Sequence, residues 1–110
     1  MSTVTVHQLS QLWDESRIEP LALFERDDPM VQTGSYVIEP GERVPKRGMT
    51  SHEGDELSVI LSGELELVTD QSRETVGPET LTVIPAGIDH YSVNNGSEPA
   101  RLVYTILGEL

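Results

Sequence analysis

The segment Glu64-Leu65-Glu66-Leu67-Val68-Thr69 alternates acidic and apolar residues. A period of two belongs to a strand with one buried and one wet face, because successive side chains leave opposite sides of an extended backbone. Glu56 to Leu61, just before it, reads as the strongest strand of the chain, and Ser62-Gly63 is short enough to join the two as antiparallel neighbours. The same pattern recurs along the sequence. Gly34 to Glu39, Arg73 to Val76, Leu81 to Ile84, His90 to Val93 and Arg101 to Leu107 read as further strands. Pro40-Gly41, Asp70-Gln71-Ser72, Gly77-Pro78, Pro85-Ala86-Gly87 and Asn94-Asn95-Gly96-Ser97 are the turns between them. About eight to ten short strands at this spacing predict an all-β fold, either a sandwich or a closed barrel.

The N-terminal part is less regular. Thr3-Val4-Thr5-Val6 is β-branched and reads as a short strand. His7 to Ser16 carries Leu9, Leu12 and Trp13 at helical spacing, enough for one or two turns of helix. Leu21-Ala22-Leu23-Phe24 is a short apolar run, Arg26-Asp27-Asp28-Pro29 a turn, and Glu42 to Met49, with Pro45 and Gly48, a loop. The 110 residues fit a single domain over 1–110, and nothing marks a linker or an internal repeat. A core of that size has little surplus stability, so self-association is a plausible supplement.

Charge narrows the partners. Nineteen acidic against seven basic residues give a formal net charge of -12. Phosphate backbones and anionic lipid surfaces repel such a chain, which argues against nucleic acid and membrane as partners. There is no cysteine, so disulfides, thiolate metal sites and a cysteine nucleophile are excluded. Met1 to Glu15 has no basic start and no continuous apolar block, and no later run approaches a membrane span. The expectation is a cytoplasmic protein. No glycine-rich phosphate loop and no nucleophile elbow is present.

Two polar stretches carry the candidate chemistry. In Thr50-Ser51-His52-Glu53-Gly54-Asp55-Glu56, residues 50, 52 and 56 share one strand parity, so an inward His52 implies an inward Glu56, with Glu53 and Asp55 outward. His90 follows the Pro85-Ala86-Gly87 turn at the start of a strand that could lie beside this one. Two imidazoles and a carboxylate suit divalent iron, manganese, nickel, cobalt or zinc and leave coordination positions open. An inward carboxylate is costly unless something pairs with it, and a metal would remove that cost. Each residue alone also has an ordinary reading: His52 at a loop edge, Glu56 as a strand-start charge, His90 capping a turn.

Together the two stretches resemble the paired motifs of the cupin superfamily. Gly41, His52, Glu56 and Gly63 fit the first motif (about 41–63); Gly77, Pro85, Gly87, His90 and Asn94 fit the second (about 77–94). Two features depart from the pattern. Thr50 stands where the first motif has its first histidine, and the spacers after Gly41 and before Pro85 are long. The resemblance implies a double-stranded β-helix, or jelly-roll barrel, often a homodimer, with the site inside. It implies a divalent metal at His52, Glu56 and His90, with three protein ligands rather than four, acting on or binding a small polar molecule. A metal-free pocket that binds or senses a small molecule without catalysis is the alternative. In this frame Asn94 is a turn or strand-end hydrogen bonder. Arg43, Arg47 and Arg101 are the cations that could reach the pocket and clamp a carboxylate, and Tyr36, Tyr91 and Tyr104 are candidates for its wall. His7 is expected on the surface without a role.

Overall fold

The computed structural model describes residues 5–108. Among these residues nine strands form: β1 (Leu21–Asp27), β2 (Met30–Ile38), β3 (Arg43–Val44), β4 (Asp55–Ser62), β5 (Leu65–Thr69), β6 (Arg73–Val76), β7 (Thr80–Ile84), β8 (His90–Val93) and β9 (Ala100–Leu107). They make two antiparallel sheets, ordered β1-β2-β9-β4-β7 and β3-β8-β5-β6. The architecture is the double-stranded β-helix expected from the sequence. Among the described residues no helix is long and apolar enough to cross a membrane.

Register explains what faces inward. Glu56 on β4 lies opposite Ile106 on β9 and Ile84 on β7, and Gln32 on β2 extends the row beyond Ile106. The next inward row is Tyr104, Ser58 and Thr82; the one after it includes Tyr36, Leu102 and Ile60. Ile38, Ile60, Leu65, Ala100, Leu102, Tyr104 and Ile106 form one buried cluster between the sheets, with Tyr36, Val44 and Val76 packed on it. The site residues therefore sit at one end of a chamber whose other end is hydrophobic core.

Several expectations are corrected. Ser62-Gly63 does not close a hairpin: β4 belongs to the five-stranded sheet and β5 to the four-stranded one, so the chain crosses between sheets there. Gly63 has φ +75°, and a β-carbon on it would lie 2.4 Å from the Pro99 carbonyl oxygen, so the crossing requires glycine. The loop expected over Glu42 to Met49 contains β3, because Arg43 and Val44 pair with Val93 and Ser92. β1 runs through Asp27, past the apolar run, as a mostly exposed edge strand on which charge is tolerated. The helix expected over His7 to Ser16 is reduced to two 3-10 turns, Leu9–Gln11 and Trp13–Ser16, closed by bonds such as Leu12 N to Leu9 O. The buried Ser16 hydroxyl bonds the Leu12 carbonyl and Ser35 Oγ, occupying an acceptor that a regular helix would use. Of the strand expected over Thr3–Val6, Thr3 and Val4 lie outside the described residues, while Thr5 and Val6 are exposed and not in a strand. His7 is exposed, as expected.

Candidate metal centre

His52 and Glu56 come from the entry to β4, and His90 opens β8 in the opposite sheet. His90 therefore does not lie beside β4 itself. The link is made one step upstream, where Thr50 and His90 form an isolated antiparallel bridge. Thr50 N–H donates to the His90 carbonyl at 2.9 Å and His90 N–H to the Thr50 carbonyl at 2.8 Å. Gly87 N–H adds a bond to the His52 carbonyl at 2.8 Å, and Ala86 N–H donates to Asp55 Oδ1 at 2.9 Å. The Pro85-Ala86-Gly87 turn is thus tied directly to the segment that carries His52. Asp55 and Glu53 are exposed, as their parity requires.

The three side chains converge. His52 Nε2 lies 3.0 Å from Glu56 Oε1. The two imidazole rings have centroids 5.4 Å apart and are tilted by 55°. One donor atom from each of His52, Glu56 and His90 falls within 4.8 Å of the others. His90 is buried, and His52 and Glu56 are largely so. His90 Nδ1 lies 2.9 Å from the Ile88 carbonyl oxygen. A carbonyl only accepts, so this contact places the proton on Nδ1 and leaves the Nε2 lone pair free. His52 Nδ1 is buried with no hydrogen-bond partner among the described residues. An orphaned buried nitrogen costs about 1–3 kcal/mol. Imidazole lone pairs and a carboxylate within a few ångströms of each other form a donor set that a divalent cation fits.

The three residues line a cavity of about 340 Å³ between the sheets. Tyr36 and Tyr104 are in its wall, as the sequence allowed; Tyr91 is not. None of the three arginines lines it. Arg43 lies over the Tyr91 ring, 3.8 Å from its centroid, and donates to the Pro45 carbonyl; Arg101 lies over Trp13; Arg47 is exposed. Outward parity is the reason: Arg101 alternates with the inward Leu102, and Arg43 with the inward Val44. The wall also contains Gln32, Ser58, Thr82 and Ser92, which the sequence reading did not select. Two were accessible by parity alone, since Ser58 follows Glu56 by two positions and Ser92 follows His90 by two. Tyr104 donates its hydroxyl to Gln32 Oε1 at 2.9 Å. Burial, then the negative charges of Glu25 and Glu56, push the Tyr104 phenol up to about 12. Burial, then Glu42 and Glu19, raises Tyr36 in the same direction. Both phenols stay neutral at ordinary pH.

Asn94 has a structural place. It is fully buried, and its side-chain amide donates to the Ile38 and Glu98 carbonyls, each at 2.8 Å, while its Oδ1 accepts from Gly96 N–H. It fixes the end of β8 against β2, consistent with a strand-end hydrogen bonder.

Comparison with known proteins agrees with the fold. A cupin superfamily protein from Desulfitobacterium hafniense DCB-2 superposes with TM-score 0.70 at 23% identity, over 82% of this chain and 76% of that one. An uncharacterized conserved protein with a double-stranded β-helix domain from Klebsiella pneumoniae gives TM-score 0.78 at 16% identity, over 96% and 91% of the two chains. The polyketide cyclase RemF from Streptomyces resistomycificus gives TM-score 0.61 at 24% identity, over 69% of this chain and 53% of that one. No curated protein matches the chain. The Cupin domain family model (Cupin_2) matches residues 34–106, from the middle of β2 almost to the end of β9. With two thirds of its length inside that match, and both histidines and the glutamate within it, the chain belongs to the cupin domain family.

Proposed function

We propose that His52, Glu56 and His90 hold a divalent metal ion at one end of the cavity, and that the chain uses it to act on or bind a small molecule there. The observation that carries this reading is the convergence of three ligand atoms within 4.8 Å on the wall of a cavity. When bound, the ion would supply a Lewis acid or an oxygen-activating centre. The protein's own part is orientation. The Ile88 carbonyl sets the tautomer of His90, and the bridge to Thr50 fixes its backbone. Thr50 lines the cavity with a neutral hydroxyl, so three protein ligands leave open positions for water or substrate.

Elemental analysis of protein purified without a histidine tag tests the reading. We expect about one equivalent of metal, lost in both His52→Ala and His90→Ala. Metal content that is negligible, or unchanged in both variants, sinks it.

A metal-free binding pocket is the second reading. It is favoured by the His52–Glu56 contact of 3.0 Å, which lets the imidazole hydrogen-bond the carboxylate directly. The same analysis separates the two.

A homodimer belongs to this proposal. The outward faces of β4 and β7 expose Val59, Leu61, Leu81 and Val83, with Leu81 and Val83 each more than half exposed. Val59 pairs with Leu81 and Leu57 with Val83, so these side chains form a continuous patch. Where a chain of net charge -12 meets its own copy, an uncharged face is where repulsion is least. Sedimentation equilibrium should give a dimer for the parent and a monomer for Leu81→Lys; a monomeric parent overturns this part.

A further inference from the structure

The cavity is short of charge in a way that specifies what it takes. All seven cationic side chains of the sequence lie within the described residues, and none lines it. Arg17 pairs with Asp14 and Glu39, Arg73 pairs with Glu66, and Arg26 and Arg101 lie over Phe24 and Trp13. Arg43 is held over Tyr91, and Lys46 and Arg47 are exposed in the loop after β3. The one acidic group in the wall, Glu56, belongs to the donor end, beside His52. Away from the His52–Glu56–His90 end, the wall carries Ile38, Ile60, Leu65, Leu67 and Leu102, and its polar groups there are the neutral ones of Gln32, Tyr36, Ser58, Thr82, Ser92 and Tyr104.

From this we infer that the cavity selects molecules that present one oxygen donor to the His52–Glu56–His90 end and are otherwise uncharged and apolar, and rejects analogues bearing a distal carboxylate or ammonium. This narrows the proposed function and rests on it only for the donor end; the rest follows from the wall. A charged group moved from water into such a wall loses its hydration and gains no partner. A carboxylate would also enter against the acidic excess of the whole chain. The same acidic excess would draw in a cation, but a distal ammonium lies away from Glu56, in a part of the wall that holds no acidic side chain. Size adds a limit: 340 Å³ is near the lower end for ligand sites and holds about eleven waters, hence a compact molecule such as one substituted ring.

Three probes test this on the full chain: 4-methylphenol, 4-hydroxybenzoate and 4-(2-aminoethyl)phenol. They share a phenol head and differ at the far end in a methyl, a carboxylate and an ammonium. Each is titrated into metal-free and zinc-loaded protein, with the methyl resonances of Ile60, Leu65 and Leu102 reporting occupancy. We expect 4-methylphenol to bind about tenfold or more tightly than either charged probe in both forms. Thr82→Lys, which sets a cation in the wall, should bring 4-hydroxybenzoate up by about tenfold without strengthening 4-methylphenol; Ser92→Lys serves if that variant does not fold. A charged probe that binds the parent as tightly through the same methyls, or 4-methylphenol leaving them unmoved, overturns the inference. Should zinc fail to bind, the metal reading falls, and the ranking in metal-free protein still decides this one.

Discussion

Thr50 and His90 hold each other by two reciprocal backbone bonds, 2.9 and 2.8 Å long, and this pair brings the two halves of the site together. The bonds use only backbone atoms. The residue at 50 can therefore lose the imidazole of the family's first motif and still anchor His90. Thr50→Ala should leave metal affinity within about threefold, since it removes a hydroxyl and keeps the bridge. Thr50→His should strengthen metal binding by about tenfold or more, because residue 50 lines the cavity and would supply a fourth donor. Competition with a calibrated chelator measures both. An unchanged affinity in Thr50→His would mean that side chain 50 does not reach the ion.

Gly54 lies between His52 and Glu56 and packs against the end of β9. A β-carbon there would stand 1.4 Å from the Leu107 carbonyl oxygen, which only a backbone shift could relieve. Gly54→Ala should cost about 3 kcal/mol in urea unfolding and weaken metal binding as well, because the displaced segment carries His52. Gly48→Ala is the comparison. Gly48 has φ +66° with open space around it, so it should cost about 1 kcal/mol of backbone strain and leave metal binding alone. Equal losses in the two variants would remove the close approach as the cause.

The strands that carry the site were legible because their inner and outer faces differ. Glu64 to Thr69 and Glu56 to Leu61 sit between core and solvent, and the period of two records that directly. β1 and β3 were not legible in full. β1 lies at an exposed edge, where charged and apolar residues are equally tolerated, and β3 has only two paired residues inside a proline-bearing segment. The site residues could be read because ligand chemistry requires particular side chains at fixed parity. The path between them could not. Ser62-Gly63 has the composition of a hairpin turn, and the change of sheet appears only in the strand order, with Gly63 packed against Pro99. The arginines were misplaced for a related reason: charge marks what would suit a carboxylate, while parity sets where a side chain points. Arg43 and Arg101 are both on outward positions.

Asn94 is a buried polar anchor of the fold. It is fully buried, and its side chain makes three hydrogen bonds to backbone groups on both sides of it. Asn94→Ala should cost about 2–4 kcal/mol, since it leaves the Ile38 carbonyl and Gly96 N–H without this partner. Asn94→Asp should cost at least as much. It is nearly isosteric, but it replaces a donor facing two carbonyls with a buried negative charge. Urea midpoints measured at constant slope would check both, and an aspartate variant as stable as the parent would contradict the burial argument.

Tyr104 sets an alkaline limit on stability. Its phenol is buried, donates to Gln32 and is pushed up to about 12 from 10.0, first by burial and then by Glu25 and Glu56. In the unfolded chain the same group ionises near its ordinary value. Between about pH 10 and 12 the folded state therefore binds more protons than the unfolded state, and stability falls as pH rises through that window. Below it the contribution is fully present. Tyr104→Phe lacks the ionisation, so from pH 9 to pH 12 the parent should lose about 1–2 kcal/mol more than the variant. At pH 7 the order should be reversed, with the variant about 1 kcal/mol less stable for want of the bond to Gln32. Tyr36 is raised in the same direction, so a Tyr36→Phe, Tyr104→Phe double variant should flatten the alkaline limb further. Urea unfolding of metal-free protein at several pH values resolves this. Parallel alkaline limbs for parent and Tyr104→Phe would mean that the phenol at 104 ionises as readily in the folded chain as in the unfolded one.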